Sequence, residues 1–70
     1  MAIAGGATTA YSCKIVAGKL IVGQSQMVGR SICKEPAEAA QELINGERVY
    51  IAGSDMVSVR DLLKAKGVMG

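Results

Sequence analysis

The chain contains no histidine, no tryptophan and no phenylalanine. The missing histidine removes the commonest general base, the commonest metal ligand and the Ser-His and Cys-His pairings of nucleophilic catalysis. Aromatic side chains bury the most area per residue, and only Tyr11 and Tyr50 supply them. A core of Ala, Val, Ile, Leu and Met is correspondingly shallow. Cysteine is limited to Cys13 and Cys33, which share no CxxC spacing, and a zinc site would need two more good ligands. No metal and no cofactor are expected. Both thiols read as small buried apolar residues, with a disulfide as the alternative if their strands are neighbours. No apolar run approaches the ~18 residues of a transmembrane helix, so no membrane partner is expected. The N-terminal stretch Met1–Cys13 places small residues before a cysteine, as lipoprotein signals do. It lacks a basic lead and an apolar segment, and Tyr11 is bulky at the would-be cleavage point. With no glycine at position 2, myristoylation is also out, and a cytoplasmic location is expected.

What is present is the balance of a globular chain. The 70 residues suffice for one domain, 50% are hydrophobic and 20% are charged. Below about 70–80 residues a single core rarely supplies more than ~3–5 kcal/mol. With disulfide and metal unsupported, homo-oligomerisation is the expected reinforcement. The net charge of +2 hides an uneven layout. Up to Lys34 the charges are Lys14, Lys19, Arg30 and Lys34, all positive; Glu35, Glu38, Glu42 and Glu47 follow without a base. The cations either attract an anionic partner or lie solvated on strands and guard sheet edges, the second being favoured.

Residues 1–7 read as a loose lead-in. Tyr11, Cys13 and Ile15 alternate with Ser12 and Lys14, a strand period. Ala17-Gly18 breaks it before Lys19-Leu20-Ile21-Val22, so the two runs read as a hairpin. Gln24–Cys33 is either a third strand or the continuation of a long strand bent by a bulge. Pro36 then opens a helix through Ile44, with Ala40, Leu43 and Ile44 as its apolar face and Glu35 and Glu38 in its first turn. Asn45-Gly46 ends it. Glu47–Ala52 is a strand with Val49 and Ile51 on one face. Ser54 is the expected N-cap of a second helix, Asp55–Lys66, with Met56, Val59, Leu62 and Leu63 inward, Arg60, Asp61 and Lys64 outward, and Gly67 closing it. The expected fold is α+β: a small, mostly antiparallel sheet with two helices on one face, in the order ββ(β)αβα.

No catalytic pattern emerges. Gly18-Lys19 is similar to the end of a P-loop, but Cys13 stands where the first glycine belongs and Leu20 where Ser or Thr belongs. Glu38 and Glu42, one helical turn apart, could pair as acid and base but read as a solvated face. Ser31 and Ser54 have no activating base. An enzyme is not expected.

Val49–Val68, VYIAGSDMVSVRDLLKAKGV, resembles the closing segment of the repeated domains named after the N-terminal domain of copper amine oxidase. That segment is a strand, a tight turn, a Val-Pro-Leu-Arg-like helix start and a Leu-Gly-like stop. Val57-Ser58-Val59-Arg60 takes the first place, with Val57 and Val59 anchoring the helix start, and Lys66-Gly67-Val68 takes the last. Ser58 departs from the family's Pro and Lys66 from its apolar residue. The resemblance covers less than a third of the chain. It implies a non-catalytic binding or structural module of extracellular type, with no copper chemistry and no functional residue carried over.

The function expected from these features is a non-enzymatic protein–protein interaction module: an adaptor, inhibitor or structural component docking on another protein or on itself. Its candidate contacts are Lys14, Lys19, Arg30 and Lys34 on the sheet, and Arg60 and Lys64 on the second helix. The alternative is a small nucleic-acid-binding regulator, with the four N-terminal cations on one sheet meeting phosphates and Tyr11 stacking on a base.

Overall fold

A computed structural model describes residues 7–68. Strands β1 (Ala7–Val16) and β2 (Lys19–Gly29) form an antiparallel hairpin closed by Ala17-Gly18. Both turn residues have positive φ, 53° and 77°. That is the two-residue type I′ geometry, whose twist matches that of the flanking strands. Strand β3 (Val49–Ala52) pairs antiparallel with the other side of β1, giving the order β2-β1-β3. Of the two expectations for Gln24–Cys33, the long bent strand is the one observed. Tyr11 faces Ser25 but Cys13 faces Val22, so Gly23 and Gln24 together stand opposite Ser12. This is a β-bulge, and β2 runs past it to Gly29. A single 3-10 turn, Arg30–Ile32, then leads toward the helices. Of the expected lead-in, residues 1–6 lie outside the described residues and Ala7 begins β1.

Helix α1 (Pro36–Ile44) starts at its proline, as expected. It ends when Gly46 turns to φ 89°, with its N–H donating to the Leu43 carbonyl and that of Glu47 to the Glu42 carbonyl. Helix α2 (Met56–Ala65) stops by the same motif. Gly67, at φ 76°, donates to Lys64 and Val68 donates to Leu63. Its start departs from expectation. The chain leaves β3 through a 3-10 turn, Gly53–Asp55, so Asp55 precedes the helix and Ser54 is wound into the turn without capping it. A Cβ on Gly53 would lie 3.4 Å from the Tyr11 ring, which shows how closely this turn is tucked against β1.

Both helices lie on one face of the sheet. Cys13, Val49 and Ile51 meet Ala39, Ala40 and Leu43 of α1 and Met56, Val59 and Leu63 of α2. Tyr11, Ile15, Leu20, Val22, Leu62 and Val68 pack around them. The largest fully buried side chains are Leu43, Ile51, Leu63, Val49, Val59 and Cys13. Each aliphatic one contributes about 1.5–3 kcal/mol by leaving water. Three expectations are corrected here. The stripe of α1 that meets the sheet runs through Ala39, Ala40 and Leu43, which leaves Ile44 on the flank, 39% exposed. Met56 and Val59 hold the start of α2, while Val57, a helical step round, is 68% exposed and anchors nothing. Cys33 is half-buried just after the 3-10 turn, and both cysteines are free. Among the described residues no helix is long and apolar enough to cross a membrane.

Candidate functional site

Side chains alternate across a strand, so the residues between those of the core point away from the helices. On β1 these are Ala10, Ser12, Lys14 and Val16; Ala10 and its neighbour Ala52 are buried, so this face is open only from Ser12 toward the hairpin turn. Register places Gln26 and Ala52 beside Ala10, Tyr50 beside Ser12, Ile21 beside Lys14 and Lys19 beside Val16. This open face carries two exposed aliphatic side chains, Val16 at 52% and Ile21 at 51%. It also carries the exposed cations Lys14 and Lys19, and Arg48 joins them from the residue before β3. None of these strand positions is acidic.

The bulge shapes the middle of this face. Ser12, Lys14, Ile21, Gly23 and Arg48 line a hollow of about 250 Å³. Gly23 lets the two strands approach closely here. A Cβ there would stand 3.0 Å from the Ser12 carbonyl oxygen and 3.8 Å from the Ser12 Cβ. The chemistry available is two cationic heads, a hydroxyl and an aliphatic wall, all reachable by solvent.

The expected cation cluster does not assemble. Lys14 and Lys19 share the open face, but Arg30 lies in the 3-10 turn beyond β2 and Lys34 in the link to α1. The strand ends at Gly29, so neither of the latter belongs to the sheet. The Lys34 N–H donates to the Tyr50 carbonyl at 3.0 Å, and its ammonium sits 3.6 Å from Glu38 and 3.5 Å from Glu42. Glu38 and then Glu42 hold the Lys34 pKa above its ordinary 10.5. The same contacts make Glu38 and Glu42 ion-pair partners, as their place on a solvated face allows. Arg60 and Lys64 are exposed on α2, in the layer opposite the open face.

Tyr11 is also corrected. It shares the alternation of Cys13 and Ile15, so it packs under the helices and offers no free ring. The aromatic residue on the open face is Tyr50, half-buried beside Ser12. Arg48 lies beyond the run of cations that ends at Lys34 and was not among the expected contacts. Its signal was its phase in the expected strand Glu47–Ala52, which in the structure is shortened to Val49–Ala52: it alternates with Val49 and Ile51 and so shares the side of Tyr50 and Ala52. A second hollow, of about 180 Å³, brings Arg30 and Lys34 together with Glu35, Asp55 and Cys33, a mixture of both charges. Cys13 faces the core, and burial pushes its thiol above the ordinary 9.0, with Arg60 pulling the other way. Its S–H lies 3.9 Å from the Met56 sulfur. Among the described residues no group of three or more His, Cys, Asp or Glu side chains could hold a metal ion.

The fold and this surface define a two-layer α+β domain with one sheet face covered by helices and the other open toward the hairpin turn. No protein-family model, no curated protein and no solved structure matches the chain.

Proposed function

We propose that this chain is a non-enzymatic protein–protein interaction module, an adaptor, inhibitor or structural component, that docks through the open face of its hairpin. The observation that carries this reading is the bare hairpin end of the sheet face turned away from the helices, with Val16 and Ile21 exposed beside Lys14, Lys19 and Arg48. A strand the length of β1 spans about 34 Å, while helices the length of α1 and α2 span about 14–15 Å. The helices therefore leave part of even their own side of the hairpin bare, and Met27 is 65% exposed. A small core of aliphatic residues gains from a partner that covers more apolar surface. The resemblance at Val49–Val68 points the same way, toward a binding or structural role.

The nucleic-acid reading draws less support. Lys34 is engaged by two carboxylates, Arg30 lies off the sheet, and the only tyrosine on the open face is half-buried. Phosphate recognition needs several free cations on one track, and base stacking needs free rings.

A pull-down with the tagged chain, run with and without nuclease, separates the two. One protein enriched in stoichiometric amount and retained after nuclease treatment is the expected result. Recovery of nucleic acid, with protein lost after nuclease, overturns it.

A further inference from the structure

We infer that the bulge hollow is the specificity pocket of the docking face, and that it receives a carboxylate side chain from an acidic, partly apolar segment of a partner protein. This rests on the protein-docking reading above and adds the chemistry of the partner. The hollow lies where β2 places two residues, Gly23 and Gln24, opposite Ser12, and the first, lacking a Cβ, comes close to the Ser12 backbone. Its lining has one sign of charge: Lys14 and Arg48, with no acid among the lining residues. Lys19, also exposed, extends the same sign along β2, paired with Val16 at the hairpin tip. Arg presents a planar fork that matches a carboxylate, and Lys a mobile point charge; flanking one hollow, they suit an Asp or Glu inserted between them.

The aliphatic part of the surface sets the rest of the partner. Ile21 walls the hollow and Val16 lies further along the face, each about half exposed. A segment with apolar residues next to its acid covers them and excludes water from the ion pairs, which strengthens those pairs. Three cations are few for a phosphate backbone, whose affinity grows with each neutralised charge, but enough to select one or two carboxylates. A second copy pairing along the β2 edge fits poorly. The bulge and Lys19 both lie on that edge, and both features discourage strand pairing.

The test is an NMR titration of the full-length isotope-labelled chain with a short peptide alternating Glu and Val. The expected shifts fall on Ser12, Lys14, Ile21, Gly23 and Arg48 and weaken as salt rises from about 50 to about 300 mM. A matched peptide alternating Lys and Val is expected to leave them unmoved. The double variant Lys14→Glu/Arg48→Glu is expected to weaken the acidic peptide by about tenfold or more, and Lys14→Arg/Arg48→Lys to keep most of the affinity. Both substituted positions are exposed, and a dispersed spectrum verifies that each variant is folded. Shifts confined to the helices, equal shifts with the basic peptide, or displacement of the acidic peptide by a lower concentration of oligothymidylate overturn the inference. So do concentration-dependent shifts at these residues without peptide, which indicate a second copy. If a nuclease-resistant protein is captured equally by the wild type and by Lys14→Glu/Arg48→Glu, the pocket is refuted while the docking reading survives. If no protein is captured at all, the docking reading itself fails.

Discussion

Ala17 is the sharpest local test of the hairpin that carries the open face. It holds φ 53° in a two-residue turn and is exposed to solvent. For a residue with a Cβ, the left-handed region costs about 1–2 kcal/mol; Asn is more tolerant of it and is favoured at this turn position. Ala17→Asn is therefore expected to stabilise the chain by about 1 kcal/mol, or roughly 4–8 °C in Tm for so small a domain. Gly18→Ala is the converse. A Cβ at 18 meets nothing within 4 Å, so its cost is conformational and not steric. At φ 77° that cost is again about 1–2 kcal/mol, now as a loss. Thermal unfolding followed by circular dichroism reads both, with urea denaturation to verify an unchanged slope. An Ala17→Asn protein no more stable than wild type, together with a harmless Gly18→Ala, would refute the type I′ turn and the register that depends on it.

Further outcomes are specific to other parts of the fold. Gly23→Ala forces a Cβ to within 3.0 Å of the Ser12 backbone oxygen, and is expected to cost about 1–3 kcal/mol in urea denaturation; a neutral effect would mean that the bulge is misplaced. Leu63→Ala, at a fully buried position, should cost about 2–5 kcal/mol, a large share of what so small a domain holds. Native-state thiol labelling should modify half-buried Cys33 readily and buried Cys13 only on unfolding, so equal rates at both would contradict the core. Stability should fall as pH rises past the ordinary Cys value of 9.0. Burial raises the folded-state pKa of Cys13, so the unfolded chain releases that proton first and gains from alkali. The raised Lys34 pKa acts in the same sense. Its ion-pair contribution is full below the unfolded value of 10.5 and fades as pH passes the folded one. A urea midpoint that rises in alkali would contradict this, and Cys13→Ala should remove the earlier part of the fall.

Much of the architecture was legible because local rules and tertiary structure agree. The alternation of Tyr11, Cys13 and Ile15 set the core face of β1, and the glycines at 46 and 67 closed both helices with the positive φ that such stops require. The same alternation already placed Tyr11 with the core, so its use as a stacking ring conflicted with the strand period itself. The bulge was not decidable from sequence. Gly23 and Gly29 look alike as punctuation, and only pairing across to Ser12 distinguishes a residue inside a strand from one at its end. Lys34 lies in the link before α1, so its pairing with Glu38 and Glu42 depends on how that link meets the helix and not on helical spacing. The open-face site was only half legible. Lys14 and Lys19 come from the hairpin, but Arg48 joins them because β3 returns beside β1, a matter of strand order that no local pattern encodes.

The most direct measurement compares two single variants in the same capture experiment. Ile21→Glu alters the centre of the open face, and Arg60→Glu alters the outer surface of α2, leaving the sheet untouched. The docking face proposed for the hairpin predicts that the captured protein is lost with Ile21→Glu and kept with Arg60→Glu, both variants being folded. Loss with Arg60→Glu and retention with Ile21→Glu would contradict it and move the contact surface to the second helix.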